Sequence, residues 1–353
     1  MKLFIFGSTG DLVKRKVLPA LQGLAEGNPE FKGLEIWALG RKDFTHEVYK
    51  DFVCEGGKCS LDFRKRIFYK RISLENKNMC EGCLEIFDKK EMNYIYVSLP
   101  PEFIKNILES SVSLKKAGIK IRLLIEKPFG RNLEEAESLE RFLERNFSPD
   151  EVYLSDHYLF KDGILEAEEK NPDFKNLKIV SLEEVGLESR TTYYDSVGAL
   201  KDMVQSHFLN IVFRLGGKIN PDVMKIARFR KMQYGNGKDS GYVSELGKSS
   251  RTETFVDLAI AGEGREFEFI TGKAFDRKVS FIELDGRKVS LEDRKNPYKR
   301  MFSDFFAGRK SDFPKVKNAV LAWKIINRIE DSSPELQFYL RGVSSDEFLK
   351  RIR

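Results

Sequence analysis

The sequence predicts two domains in series: an α/β domain on a parallel sheet, then an α+β domain with a mostly antiparallel sheet. Three observations carry this. Over residues 1–155 short apolar strands alternate with amphipathic helices, the pattern of a parallel sheet covered on both faces. Over 156–353 strand-like runs follow one another around hairpin turns at 262–264 and Asp285-Gly286. A chain of 353 residues also exceeds one small core and suits two.

In the first domain, strands are expected at 3–6, 35–39, 67–72, 93–98, 121–125 and 151–155. Helices are expected at 11–25, 45–52, 102–116 and 133–146, each with apolar residues recurring at helical spacing. Lys70 and Arg71 interrupt the third strand, whereas Asn-Tyr-Ile-Tyr-Val-Ser at 93–98 is a clear one. Pro128 cannot continue a central ladder, so the fifth strand ends before it. In the second domain, strands are expected at 178–188, 252–261, 266–271 and 279–284, and helices at 297–306 and 315–328.

Hydrophobic residues at 41% can fill both cores, yet no apolar run approaches the roughly 20 residues a membrane span needs. The amino terminus enters a strand at once without a secretion signal, so a cytoplasmic protein is expected. The net charge of +6 is spread among acidic residues with no basic stripe or tail. That argues against a nucleic-acid partner and suits anionic small molecules.

The cysteines fall in one window, Cys54-x4-Cys59 and Cys80-x2-Cys83. They read as four separate buried thiols, as a structural zinc staple, or as one or two disulfides. No histidine or carboxylate nearby offers an open catalytic position, so no catalytic metal is expected.

Gly7-Ser8-Thr9-Gly10-Asp11-Leu12 follows the first strand and opens a helix, at the sheet edge where parallel sheets bind ligands. Glycines permit a tight turn and close approach to a pyrophosphate, and the helix start offers N–H groups. This makes the first domain a Rossmann-like, dinucleotide-binding one. The end of the second strand carries Arg41 and Lys42, where an NAD site usually has an acid. A guanidinium grips a 2′-phosphate through paired N–H bonds, so NADP is expected, with NAD the weaker alternative. Lys127, in Glu126-Lys127-Pro128, faces the same crevice and could touch both nicotinamide and substrate.

In the second half, Leu200, Met203, Val204, His207, Phe208, Ile211, Val212 and Leu215 form one helical stripe, ended by Gly216-Gly217. Burial on that stripe favours a neutral His207, the form a general base needs. A satisfied core histidine is the plainer reading of the same pattern. Asp202 lies five residues earlier, about 140° around an ideal α-helix, so the two do not share a face exactly and reach one pocket only if it wraps the helix flank. Asp156-His157-Tyr158 with Lys161 leaves the sixth strand. Asp156 could fix the tautomer of His207, and His157, Tyr158 and Lys161 suit a phosphate.

These residues resemble the glucose-6-phosphate dehydrogenase family. The match rests on Gly-x-x-Gly-Asp-Leu with Lys14-Arg15-Lys16 and Pro19, on 126–130, 156–161, Tyr193-Tyr194-Asp195, 198–207, Gln233-Tyr234-Gly235 and Ala322-Trp323-Lys324, in family order. The resemblance implies oxidation of β-D-glucose 6-phosphate at C1 by NADP, the first step of the oxidative pentose phosphate pathway. It implies His207 as base, Asp156 as its orienting partner, and His157, Tyr158 and Lys161 as phosphate ligands. Glu188, Asp202, Lys127 and Lys273 would face the sugar.

The chain also departs from that family. Members are usually well over a hundred residues longer, with the missing material after about Phe213, in a sheet that forms their dimer surface; a homodimer is therefore only a possible state. Ser206 stands where the family has Asn, and Phe160 where it has Gly, which would place a bulky ring near the phosphate. The rival readings are a sugar dehydrogenase of the glucose–fructose oxidoreductase type, and a non-catalytic NADP-sensing protein.

Overall fold

The structure is a computed structural model describing residues 1–73, 81–170, 173–187, 191–238, 240–292 and 295–352, without the side chains of 81–83 and 170. The chain forms two compact units, Met1–Phe160 with Asn296–Lys317, and Lys161–Lys295 with Asn318–Arg353. The sequence division at 155/156 is a single cut, whereas the units exchange chain again at 295/296 and 317/318.

The first unit is a six-stranded parallel sheet of β1 (Lys2–Phe6), β2 (Glu35–Gly40), β3 (Ile67–Arg71), β4 (Asn93–Val97), β5 (Ile121–Ile125) and β6 (Val152–Leu154). Their order, β3-β2-β1-β4-β5-β6, is that of the Rossmann fold. Every residue of β4 is buried, as a central parallel strand covered on both faces requires. The last strand is shorter than expected because Pro149–Glu151 forms a 3-10 turn, closed by a capping box between Ser148 and Glu151.

The helix after the glycine turn contains Pro19, which lacks an N–H and crowds the carbonyl four residues back. The backbone widens to a π-helix over Val13–Val17 and resumes as an α-helix over Leu18–Gly27. The helix Pro297–Ala307, expected in the second domain, packs in the first. Its aromatic face decides this: Phe305 and Phe306 meet Tyr94 at 5.5 and 4.9 Å, and Phe302 meets Tyr96 at 5.2 Å.

The second unit is a seven-stranded mixed sheet of β7 (Asn176–Leu182), β8 (Lys225–Tyr234), β9 (Phe255–Gly262), β10 (Arg265–Gly272), β11 (Val279–Leu284), β12 (Arg287–Ser290) and β13 (Leu336–Tyr339). The order is β12-β11-β7-β10-β9-β8-β13, antiparallel except where β7 meets β10 and β8 meets β13. Three of these strands are not expected from sequence. In β8 a bulge between Ile226 and Arg228 breaks the alternation, and β12 and β13 are too short for a period to show. Tyr234, Phe255, Phe275, Tyr339 and Phe348 share one core cluster, which explains why the helix Ser345–Arg351 folds back onto the sheet.

The stretch expected as one α-helix at 200–215 has three parts: α-helix over Thr191–Ala199, π-helix over Leu200–Phe208 and α-helix over Leu209–Arg214. Cys54 and Cys59 form a disulfide, which removes both from any four-thiolate zinc site. Cys80 and the side chain of Cys83 lie outside the described residues. Among the described residues no helix is long and apolar enough to cross a membrane.

Candidate active site

The glycine turn is built by close backbone approach. Gly7 has φ +80°, and a Cβ there would meet the Ser98 carbonyl oxygen at 2.0 Å. The Gly10 N–H donates to the Gly7 carbonyl at 3.0 Å, tightening the turn. Ser8 is fully buried, and its hydroxyl donates to the Leu39 carbonyl at 3.0 Å, tying the turn to β2. Tyr49 donates to the Ser8 carbonyl at 2.9 Å. Ser8 is thus a strut, and Gly10 and Asp11 are the exposed part of the turn, with Thr9 and Leu12 half-buried beside them. The helix begins at Asp11, so its first N–H groups have no partner within the helix. A cradle without Cβ atoms next to such N–H groups fits a pyrophosphate.

Arg41 and Lys42 follow β2 and are both exposed. The Arg41 guanidinium lies 5.9 Å from the Phe103 ring centroid, and the Lys42 ammonium lies 5.0 Å from that of Phe52. Among the described residues neither enters an ion pair, so both cations remain for an anionic ligand. The nearby Asp43 is drawn instead to Arg71, at 3.4 Å. This donor set fits a phosphorylated ribose.

Glu126 is a site residue that the sequence reading passed over. It closes β5 and is buried, accepting hydrogen bonds from Tyr96 at 2.6 Å and Ser155 at 2.7 Å. Burial raises its carboxyl above the ordinary range, and Asp156 adds to the rise while Lys127 opposes it. One carboxylate thereby pins the ends of β4, β5 and β6, and Lys127 projects from the pinned edge, half-buried. A glutamate directly after the apolar run Leu123-Leu124-Ile125 was the available signal.

Asp156 is buried, and its carboxylate accepts the Tyr158 N–H at 3.0 Å, which curls 157–160 into a 3-10 turn. His157 stacks on Tyr298 with centroids 5.3 Å apart, and Tyr158 is buried beside it. Phe160 corrects the expectation of a ring near the phosphate. It is 2% exposed and meets Phe313 edge-on at 4.9 Å, inside the core.

In the second unit, Lys161 is buried and donates to the Leu291 carbonyl at 2.9 Å. Asp202 and His207 both lie on the π-helical stretch and are buried. A π-helix bonds residue i to i+5, so five residues come close to one turn and the pair turns toward a common face. The 140° separation expected of an α-helix does not apply to this stretch, which is π-helical. Ser206 donates its hydroxyl to the Lys201 carbonyl, also five residues back, at 2.9 Å.

Lys273 follows β10, is 4% exposed, and forms a short ion pair with Glu183, which follows β7. Its ammonium lies 5.1 Å from the Tyr194 ring centroid. The Tyr194 hydroxyl is held protonated by burial first and by the charge of Asp202 next. Glu183 and Tyr194 therefore join Asp202 and Lys273 in one polar group, and sequence spacing could not have linked them. Glu188 lies outside the described residues.

Comparison with known proteins agrees with this geometry. The family model "Glucose-6-phosphate dehydrogenase, NAD binding domain" matches residues 4–165, and "Glucose-6-phosphate dehydrogenase, C-terminal domain" matches 158–216. The chain belongs to the glucose-6-phosphate dehydrogenase family. That membership carries a nicotinamide dinucleotide-binding domain with it.

The glucose-6-phosphate 1-dehydrogenase of Bacillus subtilis (strain 168) is 28% identical over 82% of this chain and 71% of its own length. That of Helicobacter pylori (strain J99) is 24% identical over 419 aligned positions, covering 99% of this chain and 98% of its own length. Those positions outnumber the 353 residues here, so the relative carries residues that this chain lacks. A solved glucose-6-phosphate dehydrogenase in complex with glucose-6-phosphate superposes with TM-score 0.77 at 20% identity, covering 99% of this chain and 96% of that one. The WlbA dehydrogenase of Thermus thermophilus, solved with NAD and UDP-GlcNAcA, reaches 0.62 at 15% identity, with 96% of each chain covered. At these identities the superpositions establish the fold alone.

Proposed function

We propose that this chain is an NADP-dependent glucose-6-phosphate dehydrogenase. It oxidises β-D-glucose 6-phosphate at C1 to 6-phospho-D-glucono-1,5-lactone, the first step of the oxidative pentose phosphate pathway, in the cytoplasm. The observation that carries the reading is a buried π-helical stretch that holds both Asp202 and His207, in a chain of this family. An acid and an imidazole on that stretch, with the Lys273 ammonium and the Asp202 carboxylate both bordering Tyr194, suit a polyhydroxylated, phosphorylated substrate.

His207 takes the proton from the C1 hydroxyl as the C1–H bond breaks, and C1 becomes the lactone carbonyl. Such a base contributes about 10²–10⁴ in rate. Asp156 carries the orienting carboxylate that holds the base in the right tautomer. Asp202, Lys273 and Glu188 bind sugar hydroxyls, and His157, Tyr158 and Lys161 supply charge-assisted donors to the phosphate. NADP, when bound, would supply the hydride acceptor. Gly7, Ser8, Thr9, Gly10, Asp11 and Leu12 would cradle its pyrophosphate, Arg41 and Lys42 would bind the 2′-phosphate, and Lys127 would meet nicotinamide and substrate.

The test is absorbance-monitored nicotinamide reduction with glucose 6-phosphate and NADP, with unphosphorylated glucose in parallel. Turnover of the phosphate ester at least tenfold above that of glucose is expected. Equal turnover of glucose would favour the sugar-dehydrogenase reading, and NADP binding without any turnover the sensor reading.

A further inference from the structure

The rotational setting of the π-helical stretch is not inherited from the helix before it. Gly198 has φ +66° and ψ 179°, so the upstream helical path breaks two residues before Leu200. Something else must fix where Asp202 and His207 point, and Glu253 occupies that position. Its backbone carbonyl accepts the Ala199 N–H at 3.1 Å, and its carboxylate accepts the Leu200 N–H at 3.0 Å. Two consecutive amides at the start of the stretch are thus held by one residue. The approach is so close that a Cβ on Gly198 would lie 2.3 Å from the Glu253 carboxylate.

Glu253 is itself anchored to the sheet. The next residue, Thr254, donates its N–H to the Met232 carbonyl at 2.8 Å and accepts the Lys273 N–H at 3.1 Å. The same two-residue segment therefore holds the start of the His207 helix and the backbone of Lys273. Burial raises the Glu253 carboxyl above its ordinary range, as befits a group engaged inside the fold rather than solvated.

We infer that Glu253 is a positioning residue for the reaction: its carboxylate, accepting the Leu200 N–H, sets the phase of the π-helical stretch and thereby the common aim of Asp202 and His207 relative to Lys273. The inference rests on the functional reading above for its kinetic consequence, and on the geometry alone for its structural one. A carboxylate and a primary amide both present an oxygen acceptor, so the clamp needs the acceptor and not the charge.

Glu253→Ala and Glu253→Gln, compared with the parent, test it. Glu253→Ala is expected to lower kcat with glucose 6-phosphate by about tenfold to a hundredfold, the scale of a misaimed catalytic group, while the KM for NADP stays within about twofold. Glu253→Gln is expected to keep more than about half of the parent kcat. A parent-like kcat in Glu253→Ala, or equal losses in both variants, overturns the inference. If Glu253→Ala does not fold, Glu253→Asp withdraws the carboxylate from Leu200 and takes its place with the same expectation.

A parent without turnover would defeat the functional reading and not this one, because a second readout is independent of activity. The chain has three histidines, His46, His157 and His207, so their imidazole resonances are separable by single substitution. The His207 resonance should move in Glu253→Ala and return in Glu253→Gln. An unmoved resonance overturns the inference.

Discussion

Gly7 and Ser98 touch so closely that the first has no room for a side chain: a Cβ on Gly7 would lie 2.0 Å from the Ser98 carbonyl oxygen. The turn after β1 and the chain leaving β4 meet there, at the point where the strand order reverses and such sheets bind their ligands. Gly7→Ala should therefore fail twice. The left-handed backbone alone costs about 1–2 kcal/mol, and relieving the clash moves the cradle. A fluorescence titration with NADP should show affinity falling about tenfold or more, and a parent-like affinity would refute the cradle.

Arg41→Ala separates the two cofactors. A guanidinium facing a 2′-phosphate affects NADP and leaves NAD, which has none, nearly untouched. The KM for NADP should rise about tenfold or more, against about twofold for NAD. Equal effects would remove Arg41 from the phosphate.

His207→Asn removes the proposed base while keeping a polar group of similar size. A fall in kcat of about 10²–10⁴ is expected with NADP affinity unchanged, since the cofactor residues lie on the first unit. Retention of more than about a tenth of the parent kcat would assign the base elsewhere.

Phe160→Ala should damage stability rather than specificity. The ring is enclosed and meets Phe313, so its loss should cost about 3–5 kcal/mol, read as a lowered denaturant midpoint. The KM for glucose 6-phosphate should stay within about twofold. A large change in KM with stability intact would return Phe160 to the phosphate.

Glu126 makes stability depend on pH in a stated direction. Its folded pKa is raised by burial, so the folded state holds the proton more tightly than the unfolded state does. Its contribution is most favourable below the unfolded carboxyl value of about 4.3 and is lost as pH rises through the higher folded value. In Glu126→Gln that loss is absent, so thermal unfolding should shift in favour of the variant as pH rises from about 5 to 8. A difference between variant and parent that is constant over this range would show Glu126 to be unperturbed.

The parallel sheet was legible because short, mostly apolar strands alternate with helices of clear period; the strand order was decided by the tertiary structure. The glycine turn and the cations after β2 were legible because they follow strand ends directly. The segment 296–317 was not, since nothing in its period says which sheet its aromatic face will meet. Tyr94, Tyr96 and Tyr153 supply that answer, from strands far away in sequence.

The sequence by itself determined the fold class, the family and most of the candidate residues, because these rest on local period and on residue types at fixed spacing. Tertiary structure decided where those residues aim. Five residues between Asp202 and His207 mean opposite flanks in an α-helix and nearly one face in a π-helix. Which helix forms depends on a broken path at Gly198, on the bond from Ser206 to Lys201, and on the Glu253 carboxylate 53 residues away. Likewise the enclosure of Phe160, the pairing of Lys273 with Glu183 and the strut at Ser8 are contacts between distant segments, which local spacing does not encode.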